Sequence, residues 1–199
     1  MRNIRIISLA IVAMLIAVSV FVWAPLNPDA AAQGTKLPKS IMIRAQAMGT
    51  STQLGQNYNI TARIKEYSPP GDQAILLAAF KAKGNEGLIN ALSKMPAKGR
   101  LAITGTLGGD LAYIRRFDQP DGSVLIRMIT DRPLRFGEVW ADTRSSDYQL
   151  SVVEVRISKD KKKRTGTLLP AAELKIDKNG GLEVETFQNP WKLVNIQIL

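Results

Sequence analysis

The chain contains neither cysteine nor histidine. Without cysteine there is no disulfide, no thiolate nucleophile, no cysteine-held metal centre and no lipidated cysteine. Without histidine there is no Ser-His-Asp or Cys-His triad, no imidazole general base and no histidine-held zinc or haem. Carboxylate, lysine, serine or tyrosine chemistry survives, as does binding without chemistry. No metal site and no cofactor is expected. Aromatics are scarce: beyond the first 32 residues only Trp140, Trp191, four Tyr and four Phe remain. Acids are outnumbered, 17 against 27 Lys and Arg, giving a formal charge of +10.

What is present begins with an address. Met1 to Arg5 is a short basic segment, and Ile6 to Ala24 follows with nineteen residues and no charge. Pro25 to Asp29 breaks the run, and Ala30-Ala31-Ala32 supplies small residues at both Ala30 and Ala32. These are the three parts of a signal peptide spanning residues 1–32, with cleavage expected after Ala32. The alternative is an uncleaved membrane anchor, because the apolar run approaches the length needed to span a bilayer. Either reading makes the rest extracytoplasmic, periplasmic or secreted. Removing Arg2, Arg5 and Asp29 lowers the charge only from +10 to +9, so the basicity belongs to the remainder. Residues 33–40 read as a linker and 41–199 as one domain, long enough to bury a core without covalent staples.

Period-two alternation dominates this domain. Tyr58, Ile60, Ala62 and Ile64 face one way, and Asn59, Thr61, Arg63 and Lys65 the other. Further strands are expected at 41–47, 100–104, 111–117, 123–130, 148–158, 165–177, 182–187 and 193–198, separated by Gly, Asp and Pro turns. Residues 124–129 are apolar on both faces apart from Arg127, which predicts a central strand. Asn179-Gly180 predicts a hairpin turn. Residues 70–95 change period: Ile75, Leu76, Ala79 and Phe80 share one helical face, and Leu88, Ala91, Leu92 and Met95 another, with Gly84-Asn85 between them. The expected fold is α+β and mainly antiparallel β. About nine strands form a meander curled into a barrel or sandwich, with one inserted helical hairpin.

The densest charge is Lys159-Asp160-Lys161-Lys162-Lys163-Arg164, five cations in six residues. Lys159, Lys161, Lys162, Lys163 and Arg164 could attract an anionic envelope polymer, an anionic lipid surface or an acidic protein. The plainer reading is a solvated hairpin tip. Arg115 and Arg116 with Arg132 and Arg135 form a second candidate anion site, since guanidinium grips carboxylate or phosphate bidentately. Here the plainer reading is internal salt bridges. Nucleic acid is disfavoured by export, by the lack of interleaved aromatics and by the lack of a recognisable binding motif. Ser158-Lys159-Asp160-Lys161 fits Ser-x-x-Lys but lacks the partner motifs of penicillin-binding enzymes. Glu66, Asp72, Glu86, Asp110, Asp131, Glu138, Asp142 and Glu173 leave open a carboxylate-dependent hydrolase, although no spacing singles out a pair.

Several phrases carry a resemblance: Gly105 to Gly108, Asp131 to Glu138, Thr143 to Tyr148, Gly166 to Leu174 and Gln188 to Trp191. Through them residues 57–199 resemble a family of exported bacterial proteins of unknown function. That resemblance implies export and assigns no functional residue. The sequence therefore points first to a non-enzymatic, basic envelope protein binding an anionic partner. A barrel-type carrier of a small apolar or anionic ligand is the alternative, and a hydrolase the second alternative.

Overall fold

Alternation of apolar and polar residues lets one face of each strand turn inward while the other meets solvent or a second layer. In the computed structural model, which describes residues 37–38, 40–134, 150–176, 182–185 and 190–199, this produces nine antiparallel strands. They are β1 (Ile41–Met48), β2 (Asn57–Ile64), β3 (Gly99–Ile103), β4 (Gly109–Asp118), β5 (Val124–Thr130), β6 (Leu150–Ile157), β7 (Thr165–Ile176), β8 (Leu182–Glu185) and β9 (Trp191–Ile198). One helical element, α1 (Pro70–Lys94), lies between β2 and β3.

The sheet order is β6-β5-β4-β3-β2-β1-β9-β7-β8, and β6 also pairs with β7. That pairing closes eight strands into a barrel and leaves β8 as an extra strand on the distal half of β7. Closure removes the exposed edges that an open sheet would present. The last strand starts at Trp191, two residues before the alternation suggests. Trp191 pairs with Leu168, and its buried ring packs 5.5 Å from the Tyr58 ring.

An eight-stranded barrel is just wide enough to be filled by its own side chains. Ile43, Ile60, Ile64, Leu101, Ile114, Ile126, Met128, Val153, Val155, Leu168, Trp191 and Leu193 belong to one contacting buried cluster. Small Ala45, Ala47 and Ala62 stand in the same cluster as the bulky Trp191. A second cluster lies outside the barrel wall. Leu76, Leu88 and Leu92 of α1 cover Tyr113, Ile129, Val152, Leu169 and Leu174. Burial of each such leucine is worth roughly 1.5–3 kcal/mol. This second layer is why β5 is apolar on both faces: Met128 belongs to the inner cluster and Ile129 to the outer. A register shift between Leu111 and Tyr113 switches β4 between the layers.

α1 is broken at Lys83–Gly84, where Gly84 adopts φ 58° and ψ −143°. In a continuous helix residues 79 and 87 would lie about 12 Å apart along the axis. Here a Cβ on Gly87 would come within 2.3 Å of the Ala79 carbonyl oxygen, so the two arms fold back on each other as a helical hairpin. Ile75, expected on the buried face, is 56% exposed. Leu76 and Phe80 take the barrel-facing positions, and Ile75 and Ala79 line a groove between the arms.

Candidate anion-binding surface

The basic run caps the β6–β7 hairpin. Asp160 accepts a hydrogen bond from the Lys162 backbone N–H at 2.9 Å and starts a single 3-10 turn over Lys161–Lys163. Lys159, Lys161, Lys162 and Lys163 are exposed. Arg164 bends back instead: its Nε donates to the Ser158 carbonyl at 3.2 Å and its Nη1 to the Ile196 carbonyl at 3.4 Å. Arg164 thus fastens the tip to β9, and the four lysines project from it.

The second set of arginines is divided. Arg115 and Arg116 are neighbours on β4 and so point to opposite faces. Arg115 lies across from Arg127, and both guanidinium groups approach the Phe117 ring, at 5.3 and 5.6 Å. Arg127 also pairs with Glu154 at 2.6 Å. The Arg115 Nη1 is buried without a hydrogen-bond partner among the described residues. Arg116 turns the other way and pairs with Asp118 at 2.6 Å. Nearby, burial pushes the Tyr67 phenol above its usual pKa, against the pull of Arg116. Arg132 lies beyond the far end of β5 and pairs with Asp131 at 3.2 Å. The hydrogen bond and charge of Asp131 raise the Arg132 pKa further. Along β5, Thr130 alone is already roughly 10 Å past the position opposite Arg115. Arg115, Arg116 and Arg132 therefore form no single cluster. Arg135 lies outside the described residues, as do Ala30, Ala32 and the 179–180 turn.

Strand adjacency assembles cations that local reading passed over. β3, β2, β1 and β9 are consecutive in the sheet, and none of them contains an Asp or Glu. Their charges are Arg100, Arg63, Arg44 and Lys192, all exposed, and exposed Lys65 follows β2. Arg63 lies opposite Met42 on one side and Arg100 on the other, while Arg44 lies opposite Thr61 and Gln197. Arg164 joins the lysine-rich tip to the same wall through Ile196. Neighbouring acids are already engaged. Asp110 pairs with Arg100 at 3.0 Å, Glu66 with the buried Lys98 at 2.9 Å, and Asp160 caps its turn. From β3 to β9 the wall spans roughly 14 Å across the strands.

Neutral hydrogen-bonding groups are interleaved with these charges. The Asn195 side-chain amide donates to Gln46 at 3.3 Å, and Gln46 donates to Asn57 at 3.4 Å. Asn59 lies opposite Gln46, and Thr61 opposite Arg44. The signal for this wall was in the sequence as four acid-free strands. That they are neighbours was not, because β1 meets β9 across most of the chain.

The carboxylates named from the sequence are mostly committed. Glu66 and Asp72 both approach Lys98, at 2.9 and 3.9 Å. Asp110 and Asp131 are paired with arginines, and Glu173 accepts from the Asn85 amide at 2.6 Å. Glu86 is exposed, and Glu138 and Asp142 lie outside the described residues. The groove between the arms of α1, about 790 Å³, is open and is lined by Asp72, Ile75, Lys83, Asn90, Lys94 and Met95 among others. Comparison with family models, with curated proteins and with solved structures finds no match to this chain.

Proposed function

We propose that this is an exported, non-enzymatic basic barrel that binds an anionic partner through its acid-free wall and the adjoining hairpin tip. The export signal and the resemblance to exported bacterial proteins support the extracytoplasmic setting. The observation that carries the binding reading is the sheet order, which brings four strands without a carboxylate side by side. Folding gains nothing from concentrating charge of one sign, and like charges directly opposite each other destabilise a sheet. An anionic partner offsets that repulsion. The carrier reading has a candidate location in the open groove on α1, where Lys83 and Lys94 flank an apolar floor.

The test is salt elution of the full chain from immobilised polyacrylate. Arg44→Gln with Arg63→Gln, and separately Lys161→Gln with Lys162→Gln and Lys163→Gln, should each lower the eluting salt concentration, because exposed charge attraction is screened. Elution of both variants at the wild-type position would show that the wall and the tip serve only solubility.

A further inference from the structure

We infer that the partner is a hydroxyl-bearing polyanion, an acidic glycan chain rather than a bare polyanion or a lipid surface; this rests on the reading of the wall as an anion-binding surface. Charged groups and neutral hydrogen-bonding groups alternate on that wall, with Met42, Met48 and Val194 among them. On β2 the outward positions run Asn57, Asn59, Thr61 and Arg63, with Lys65 beyond. On β1 they run Met42, Arg44, Gln46 and Met48, and on β9 Lys192, Val194, Asn195 and Gln197. Guanidinium and ammonium groups suit carboxylate or sulfate. Amides and hydroxyls both donate and accept; sugar hydroxyls can use both roles, whereas a bare anion can only accept.

The amide row is held in place before any ligand arrives. Asn195, Gln46 and Asn57 are hydrogen-bonded in series across three strands, and Asn195 sits at φ 53° beside the irregular register of β1 and β9. Such pre-ordering reduces the entropy lost on binding. Asn59, Thr61 and Gln197 make no side-chain hydrogen bond among the described residues, so their polar groups are available. The wall is convex, so a planar bilayer would meet it along a line whereas a flexible chain can wrap it. Its outward positions carry no aromatic residue that could anchor in an interface or stack on bases.

The experiment compares the full chain on polygalacturonate and polyacrylate. Both present carboxylates, polyacrylate more densely, and only polygalacturonate carries hydroxyls. Pure charge attraction would favour polyacrylate. The expected result is tighter binding to polygalacturonate, and loss of that preference by about tenfold in the variant Asn59→Ala, Thr61→Ala, Gln197→Ala, which keeps every charge. Polyacrylate binding should be unchanged in that variant, which also shows that it is folded. Tighter binding to polyacrylate, with no effect of the triple substitution, overturns the inference and leaves the anion-binding reading intact. Tighter binding to phosphatidylglycerol vesicles or to single-stranded DNA than to polygalacturonate also overturns it. Failure of the wild-type chain to bind any of these at low salt sinks both readings.

Discussion

Arg63 lies directly opposite Arg100 across the β2–β3 ladder, and among the described residues only Arg100 of the two has a carboxylate partner, Asp110. Two like charges in register oppose folding by a few tenths of a kcal/mol up to about 1 kcal/mol. Arg63→Thr should therefore raise the melting temperature slightly while weakening retention on a polyanion. Thermal denaturation and salt elution of the same variant check this. A fall in both would mean that Arg63 is structural.

Ser151 is fully buried and holds two segments together. Its hydroxyl donates to the Pro170 carbonyl at 2.6 Å and accepts from the Leu134 N–H at 2.6 Å. Its own N–H donates to the Thr130 hydroxyl at 3.0 Å. Ser151→Ala leaves buried polar atoms short of partners, and should cost about 1–3 kcal/mol in denaturant unfolding.

Lys98 is 8% exposed and reaches Glu66 and Asp72 at once, tying the start of α1 to the barrel. Lys98→Met strands the Asp72 carboxylate and should destabilise by about 3 kcal/mol or less, since Glu66 remains solvated. Adding Asp72→Asn should recover part of that loss in a double-mutant cycle. No recovery would mean that Lys98 acts through packing of its methylene chain.

The Tyr67 hydroxyl is buried without a hydrogen-bond partner among the described residues, and burial raises its pKa above 10.0. The folded state therefore prefers the neutral phenol. This contribution is complete below pH 10 and is lost as pH rises through the higher folded value. Tyr67→Phe should be neutral or stabilising by up to about 1 kcal/mol at neutral pH, and should flatten the alkaline fall in stability. An alkaline limb unchanged from wild type would place its cause elsewhere.

Gly87 gives the helical hairpin its close contact. A side chain there would meet the Ala79 carbonyl, so Gly87→Val should push the arms apart and destabilise the α1 layer. Hydrogen exchange should then rise in α1 more than in β1, β2 and β9, which lie elsewhere on the barrel. Equal exchange increases throughout would show that the hairpin and barrel unfold as one unit.

Strand positions, the break in α1 and the hairpin tip at Lys159–Arg164 were legible locally. Alternation at Tyr58–Ile64 reports which side is buried, and a glycine such as Gly84 can adopt a backbone that other residues resist. Ile75 was misplaced because a helix packed on two sides, against the barrel and against its own second arm, has a wider apolar arc than one face explains. Sequence proximity groups Arg115, Arg116, Arg132 and Arg135, yet alternation sends Arg115 and Arg116 to opposite faces and the length of β5 carries Arg132 away, while Arg135 lies outside the described residues.

The sequence by itself determined that chemistry needing cysteine or histidine is excluded, that excess positive charge lies beyond residue 32, and that the chain forms many short strands around one helical insertion. Only the tertiary structure decided that β6 meets β7 to close the barrel and that β1 lies between β2 and β9. Those pairings join residues far apart in the chain, and their order depends on how the whole sheet closes, which no local pattern encodes. The same closure turned four separately unremarkable strands into one acid-free wall.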